Sequence, residues 1–384
     1  MGSLVEMNQK KVRQVIRLSK STIGEAEKKA VLRVLDKEYL GMGDEVHAFE
    51  EELKIFFGRP VVCVSNGTAA LHLALQACGI GDGDEVLVPS LTYVASYQAI
   101  TATGAVPVAC DIHEKNCILD LRDAERKLTS RTKAIMPVHY TGDVGDFNSV
   151  INFANKNRLR IIEDAAHAFG TTYEGKKVGS FGDIACFSFD GIKNITTGEG
   201  GCVVSSDLEI IAKIQDARLL GVERDTDMRY SGNRSWQFNV REQGWRYHMS
   251  NIMAAIGLEQ LKRFPEIALK RQSCAKLYDK LLSNHPGIKI FNRDYTAIVP
   301  HIYVVRIPGL TNRQHLRDAL LSFGIQTGVH YQPNHLLSFF RADHEVILPI
   351  TDNMYPELLT LPLHEELSKN DIEWISNNLK MLIQ

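Results

Sequence analysis

Between residues 61 and 189 the chain alternates short apolar runs with alanine-rich or amphipathic stretches, and this rhythm restricts the fold more than any single motif. Val61-Val62-Cys63-Val64, Glu85-Val86-Leu87-Val88-Pro89, Val106-Pro107-Val108-Ala109-Cys110, Ala134-Ile135-Met136-Pro137-Val138, Leu159-Arg160-Ile161-Ile162-Glu163 and the run 184–189 read as strands. The segments 68–78, 92–102, 120–129 and 146–157 read as helices between them. Apolar strands alternating with helices belong to a mostly parallel sheet covered on both faces. Such sheets bind ligands at the carboxyl ends of their strands. The expected fold class is therefore α/β, as a three-layer α/β/α arrangement.

Ahead of this region, Thr22-x-x-Glu25 has the pattern of a capping box, followed by Ala26, Ala30, Val31, Val34 and Leu35 at helical spacing. A second stripe, Val46, Phe49, Leu53 and Phe56, ends at Gly58. Residues 1–20 read as flexible apart from a short helical or extended piece around 12–18. After residue 206 helices are expected over 207–220, 249–262, 265–283 and 312–323, with strands near 288–290 and 302–307. The stretch 222–244 is polar, holds Arg224, Arg229, Arg234 and Arg241, and reads as a long loop. A last amphipathic helix carries Ile372, Ile375, Leu379 and Leu382. The predicted division is an N-terminal arm (1–21), a large domain (22–262) and a smaller C-terminal α+β domain (263–384).

Bulk chemistry narrows the function classes. A formal net charge of −2 argues against a chain built to coat nucleic acid or an anionic membrane. The seven cysteines are scattered without a C-x-x-C pair, so free thiols of a reducing compartment are expected. No apolar run is long enough to span a bilayer and no secretory h-region is visible, which points to a cytoplasmic protein.

Several stretches could carry chemistry. Lys193 lies between the apolar run ending at Phe189 and Gly198-Glu199-Gly200-Gly201. Desolvation there would lower its pKa and give an amine able to attack an aldehyde; a solvated turn lysine is equally compatible. Ser65-Asn66-Gly67-Thr68-Ala69-Ala70-Leu71 follows a strand and opens a helix. It is either a plain N-cap or an anion cradle on a helix N-terminus. Glu163-Asp164-Ala165-Ala166-His167 ends a buried strand. Asp164 either caps the turn or pairs with a protonated ring nitrogen, and His167 is either a core histidine or part of a site. Tyr93 is a core aromatic or a stacking platform. Arg246 is a solvated loop residue or an anion ligand. The histidines lack metal-ligand spacing, so no metal is expected.

Taken together and in order, these stretches resemble the DegT/DnrJ/EryC1/StrS sugar aminotransferases, from about residue 22 to the C-terminus. The resemblance rests on the 65–71 run, Gly83-Asp84-Glu85-Val86 with Pro89-Ser90, Pro137-Val138-His139 and Glu163-Asp164-Ala165-Ala166-His167. It continues through Gly179-Ser180-Phe181-Gly182-Asp183, Phe187-Ser188-Phe189, Lys193-Asn194, the glycine run, 249–258 and Leu361-Pro362-Leu363-His364. It implies the fold of type I pyridoxal-phosphate transferases. By the same resemblance Lys193 forms the internal aldimine, Asp164 pairs with the pyridine nitrogen and Tyr93 stacks on the ring. Gly67, Thr68 and Ser188 would hold the phosphate, with His167 beside the ring's phenolic oxygen.

Two departures bear on the pocket. Where many members carry Gly-Tyr-Asn-x-Arg-Met, this chain has Gly244-Trp245-Arg246-Tyr247-His248-Met249, so Arg246 takes the place of an asparagine that reaches the neighbouring subunit's phosphate. His139-Tyr140-Thr141-Gly142 replaces a common His-Leu-Tyr-Gly. His139, His248, His330 and Tyr331 are the substrate-pocket candidates. The implied activity is amino transfer from L-glutamate to a keto sugar, a nucleotide-linked 4- or 3-keto-6-deoxyhexose, by a homodimer with shared sites. The alternatives are a free keto sugar acid as acceptor, a pyridoxamine-phosphate sugar dehydratase, and a non-catalytic regulatory protein of the same fold.

Overall fold

The structure is a computed structural model and describes residues 15–234, 236–341 and 346–383. Residues 1–14 of the expected arm lie outside the described residues. From residue 15 the arm is tied down: Ile16 exchanges backbone hydrogen bonds with Gly324 and Gln326, and Leu18 accepts one from Leu363.

Helices α1 (Glu25–Asp36) and α2 (Asp44–Phe57) precede strand β1 (Val61–Val64), α3 (Gly67–Ala77), β2 (Glu85–Pro89), α4 (Val94–Ala102) and β3 (Val106–Cys110). Next come α5 (Leu121–Arg126), β4 (Thr132–Ile135), α6 (Phe147–Asn157), β5 (Arg160–Asp164), and a small hairpin of β6 (Thr172–Tyr173) and β7 (Lys176–Lys177). Strands β8 (Ile184–Ser188) and β9 (Gly201–Ser205) are followed by α7 (Leu208–Ala217), α8 (Asp225–Tyr230) and α9 (Asn251–Leu282). The chain ends through β10 (Lys289–Ile290), β11 (Tyr303–Arg306), α10 (Arg313–Ser322), α11 (Pro349–Met354), β12 (Leu358–Leu361) and α12 (Lys369–Leu382).

The large sheet has seven strands in the order β1-β9-β8-β5-β4-β2-β3. Neighbours from β3 to β8 pair in parallel, whereas β9 pairs antiparallel with both β8 and β1. The expected mostly parallel sheet is therefore present. Strands β1, β2, β8 and β9 are buried at every position, which is why they read as continuous apolar runs. Their side chains still alternate between faces. Val62 and Val64 join one core with Ala70, Leu73 and Ile214, while Val61 and Cys63 join another with Phe49, Phe57 and Phe187. Helix α3 is buried on nearly all sides, which its alanine- and leucine-rich sequence permits. A third core surrounds the sheet β10-β11-β12 and contains Tyr278, Leu320, Ile375 and Leu379.

Local expectations fail where tertiary contacts override them. The helix starts two residues later than the capping box expected at Thr22: Gly24 is its N-cap, and only the return half of a box forms, the backbone N–H of Gly24 donating to Glu27 Oε2 at 2.8 Å. The two helices expected on either side of Pro265 form one 32-residue helix, α9, with Pro265 inside it. Packing against α1, α2 and α12 holds α9 together despite the missing amide. The 222–244 loop contains the short helix α8.

A buried ion pair ties α2 to the segment after α7. Arg218 is wholly buried and donates to Glu50 Oε1, to the Cys63 carbonyl at 2.6 Å and to Tyr230 Oη at 3.1 Å. Arg218→Met should strand the Glu50 carboxylate in the core and cost about 3–5 kcal/mol. Denaturant midpoints of the two proteins measure this, and a loss below about 1 kcal/mol, typical of an exposed pair, would contradict it.

Candidate active site

Strand register gathers residues that lie far apart in the sequence. Gly201 of β9 is level with both Val64 at the end of β1 and Ser188 at the end of β8. Asp164, ending β5, is level with Cys186. The loops leaving β1, β5 and β8 therefore open on one edge of the sheet. A cleft of about 680 Å³ lies there, lined by Gly67, Thr68, Tyr93, Asp164, His167, Ser188, Lys193, His330 and Tyr331, among others.

The first wall is the N-terminus of α3. Asn66 caps it by accepting the Ala69 N–H at 2.8 Å. The amides of Gly67 and Thr68 precede the first intrahelical bonds and remain for a ligand. A Cβ on Gly67 would come within 2.8 Å of Ser188 Cβ, so only glycine lets these two walls approach. Backbone amides, the Thr68 and Ser188 hydroxyls and a helix N-terminus together form a donor set suited to a phosphate.

The second wall is the end of β5. Asp164 is buried, and its two oxygens are oriented separately: Ser96 Oγ donates to Oδ2 at 2.7 Å and the Ala166 N–H to Oδ1 at 3.2 Å. Ser96 in turn lies 2.8 Å from Thr92 Oγ1. Three residues on, the backbone N–H of Thr141 donates to His167 Nδ1 at 3.4 Å. His167 Nε2 therefore carries the proton and faces Tyr331 Oη at 2.8 Å. Burial pushes His167 well below its ordinary pKa, so the ring is neutral. Tyr93 stands at the mouth, 57% exposed, its ring 5.4 Å from that of Tyr331.

Lys193 occupies the floor. Burial is the main cause that pushes its pKa down to about 8, against the pull of Asp164 and Asp190. Its Nζ lies 3.4 Å from His301 Nε2. A weakly basic amine, a fixed carboxylate and a phosphate cradle in one cleft fit the three polar ends of pyridoxal phosphate.

Three expected residues lie outside this cleft. His139 turns inward, its Nε2 2.8 Å from Glu163 Oε2, with both side chains buried and Phe147 against the ring. Arg246 is exposed and bridges Leu219 through its backbone. His248 bridges Val64 through its backbone, and burial, helped by Arg246, pushes its ring down to about 4.

Three supporting residues escaped the sequence reading. Arg271 lies on the buried stripe of α9 with Phe264, Ile267 and Tyr278, and a charge on such a stripe is a visible signal. His301 lies two residues before strand β11. Ser96 is one of three hydroxyl side chains, with Tyr97 and Thr101, in helix α4; nothing in its local sequence distinguishes it.

Comparison with known proteins identifies the family. The family model of the DegT/DnrJ/EryC1/StrS aminotransferases matches residues 21–380. The chain is 35% identical to "Spore coat polysaccharide biosynthesis protein SpsC" of Bacillus subtilis, over 94% of this chain and 95% of that one. Among solved structures it resembles the aminotransferase TlmJ from Streptoalloteichus hindustanus, with a TM-score of 0.88 and 32% identity over 95% of this chain and 98% of that one. It also resembles the PLP form of the putative sugar aminotransferase Spr1654 from Streptococcus pneumoniae, with a TM-score of 0.89 and 30% identity over 96% and 98% of the two chains. The chain belongs to the DegT/DnrJ/EryC1/StrS aminotransferase family and is a pyridoxal-phosphate-dependent sugar aminotransferase.

Proposed function

We propose that the enzyme transfers an amino group from L-glutamate to a nucleotide-linked 4- or 3-keto-6-deoxyhexose, with Lys193 as the residue that carries the cofactor and moves the proton. The observation that carries this reading is the position of Lys193, in one cleft with Asp164 and the Gly67–Ser188 cradle, with its pKa lowered to about 8 so that a fraction of the amine is neutral at physiological pH. When bound, pyridoxal phosphate supplies an aldehyde carbon and a ring that stabilises negative charge beside the reacting nitrogen. Gly67, Thr68 and Ser188 would hold the phosphate, Asp164 would keep the ring nitrogen protonated, Tyr93 would cover the ring face and His167 would stand by the phenolic oxygen. With donor and cofactor in place, the free Lys193 Nζ would take the proton from the donor's α-carbon as a general base. His330 and Tyr331 border the acceptor side. His330 Nδ1 is fixed 2.9 Å from Thr360 Oγ1, which holds the ring at the cleft wall.

The lining also bears on the acceptor. Thr92, Gln98, Tyr93, His330 and Tyr331 offer hydrogen bonds suited to sugar hydroxyls, and Asp190 and Glu199 add acceptors. Among the described lining residues Lys193 is the only lysine or arginine, so a further fixed cation for the carboxylates of the donor or the phosphates of the acceptor has to come from outside this chain's cleft. Arg246 would then serve a second copy's site. The surface near it supports such pairing: Trp236, Phe238 and Val240 are 86%, 60% and 48% exposed. The assembly we infer is a homodimer sharing its two sites, working in the cytoplasm on amino sugars for a cell-surface polysaccharide such as lipopolysaccharide. Among the described residues no helix is long and apolar enough to cross a membrane.

The test is a panel of keto sugars with glutamate as donor and identification of the aminated product. Formation of 2-oxoglutarate matched by one amino sugar from a nucleotide-linked substrate is the expected result. Transfer confined to a free keto sugar acid would reject the acceptor assignment. For the shared site, dilution below the dimer's dissociation constant should release the cofactor; a cofactor-loaded, active monomer would contradict it.

A further inference from the structure

The imidazole of His301 is nearly fully buried, yet the fold makes little use of its polarity. Its Nδ1 has no hydrogen-bond partner among the described residues, and its Nε2 faces Lys193 Nζ at 3.4 Å. A buried ring nitrogen without a partner is costly, and an apolar side chain of similar size would avoid that cost. The backbone, by contrast, is tightly built. One buried guanidinium, that of Arg271, donates to the His301 carbonyl at 3.1 Å and to the Lys193 carbonyl at 3.5 Å. The neighbouring Asn194 ties Lys193's segment to His301's segment a second time, donating to the Val299 carbonyl at 3.1 Å. Two independent clamps thus fix the spacing between the lysine and the histidine, and neither depends on the imidazole.

The geometry points to His301 as a positioning residue that aims the Lys193 amine at the cofactor's aldehyde by accepting a hydrogen bond from it at Nε2. This rests on the proposed role of Lys193. No bond is made or broken at His301. The lone pair of Nε2 receives one N–H of Lys193, Nδ1 keeps the ring proton, and the lone pair of the neutral Nζ is left for the carbonyl carbon. Burial, followed by the charge of Lys193, keeps the ring well below its ordinary pKa, so it stays neutral and able to accept. The other titratable groups facing the pair are Asp164 and His167 from the end of β5, Asp190 after β8, Arg271 on α9 and His330.

The test uses the cofactor-free full chain and pyridoxal phosphate as the probe. The rate of covalent capture is followed by borohydride trapping and peptide mapping from about pH 6 to pH 10. In the wild type the rate should rise through a midpoint near 8 and level off. In His301→Leu the midpoint should move down, because leucine cannot accept a bond from the ammonium. The plateau should fall roughly tenfold or more, because the neutral amine is no longer aimed. His301→Gln, with an acceptor oxygen on its side chain, should restore the midpoint and most of the plateau. A folded His301→Leu with unchanged midpoint and plateau overturns the proposal. So does a His301→Leu that cannot fold, since the ring would then be serving the fold. Absence of label on Lys193 in the wild type would instead overturn the reading beneath it, and this proposal with it.

Discussion

Lys193→Ala should abolish amino transfer, by at least ~10⁴-fold in kcat, while leaving a folded and slightly more stable protein. The fold holds this residue by its backbone: its N–H donates to the Asp190 carbonyl at 3.0 Å and its carbonyl accepts from Arg271. Alanine keeps both contacts. The side chain is a liability to the fold, because burial lowers its pKa from 10.5 to about 8 and so disfavours the charged form in the native state. The sign follows from proton counting. Between about pH 8 and 10.5 the unfolded chain holds a proton at this site that the native protein does not, so the site's contribution to stability rises with pH. Below pH 8 both states are charged and the native state bears the full desolvation penalty. Thermal melts of the cofactor-free proteins should therefore show Lys193→Ala above wild type at pH 7, with the gap closing towards pH 10. Activity within tenfold of wild type would remove Lys193 from its proposed role.

The parts of this molecule that were legible in the sequence are those with a local physical cause. The strands β1, β2, β8 and β9 are buried at every position because the sheet is covered on both faces, so they are mostly apolar, and this composition is visible without the fold. Gly67, Asp164, Ser188 and Lys193 could be placed near strand ends for the same reason. Their meeting in one cleft depends on strand order, which no local pattern encodes. β1 reaches β8 only through β9, a strand more than a hundred residues later in the sequence. Pairing outside the local pattern also explains the misplaced residues. His139 follows the fourth strand as expected, but the buried carboxylate of Glu163 draws its ring inward and away from the cleft. Pro265 looked like a helix boundary, yet the packing partners of α9 keep the helix continuous. Ser96 and His301 act through contacts with residues 68 and 108 positions away, so their surroundings in the sequence carry no trace of them.

Asp164→Asn should lower kcat by about two to three orders of magnitude and weaken cofactor retention, with little effect on the fold. The asparagine has the shape of the aspartate and keeps an acceptor for the Ala166 N–H. Its amide can donate to Ser96 Oγ, whose hydroxyl is free to turn towards Thr92 Oγ1, 2.8 Å away. What disappears is the negative charge, and with it the partner proposed to keep the cofactor's ring nitrogen protonated. Ser96 gives this expectation a finer test. Its hydroxyl donates to Asp164 Oδ2 at 2.7 Å, a charge-assisted bond that fixes which way the carboxylate faces. Ser96→Ala alone should therefore cost only about five- to tenfold, since the charge remains and one oriented bond of about 1–1.4 kcal/mol is lost. In the double variant Ser96→Ala should cost almost nothing further, because a residue that acts through Asp164 has nothing left to orient once the carboxylate is gone. Steady-state kcat values for the four proteins close the cycle. Additive losses would show that Ser96 affects the reaction by another route, and an Asp164→Asn enzyme within threefold of wild type would show that the carboxylate does not set the ring's charge.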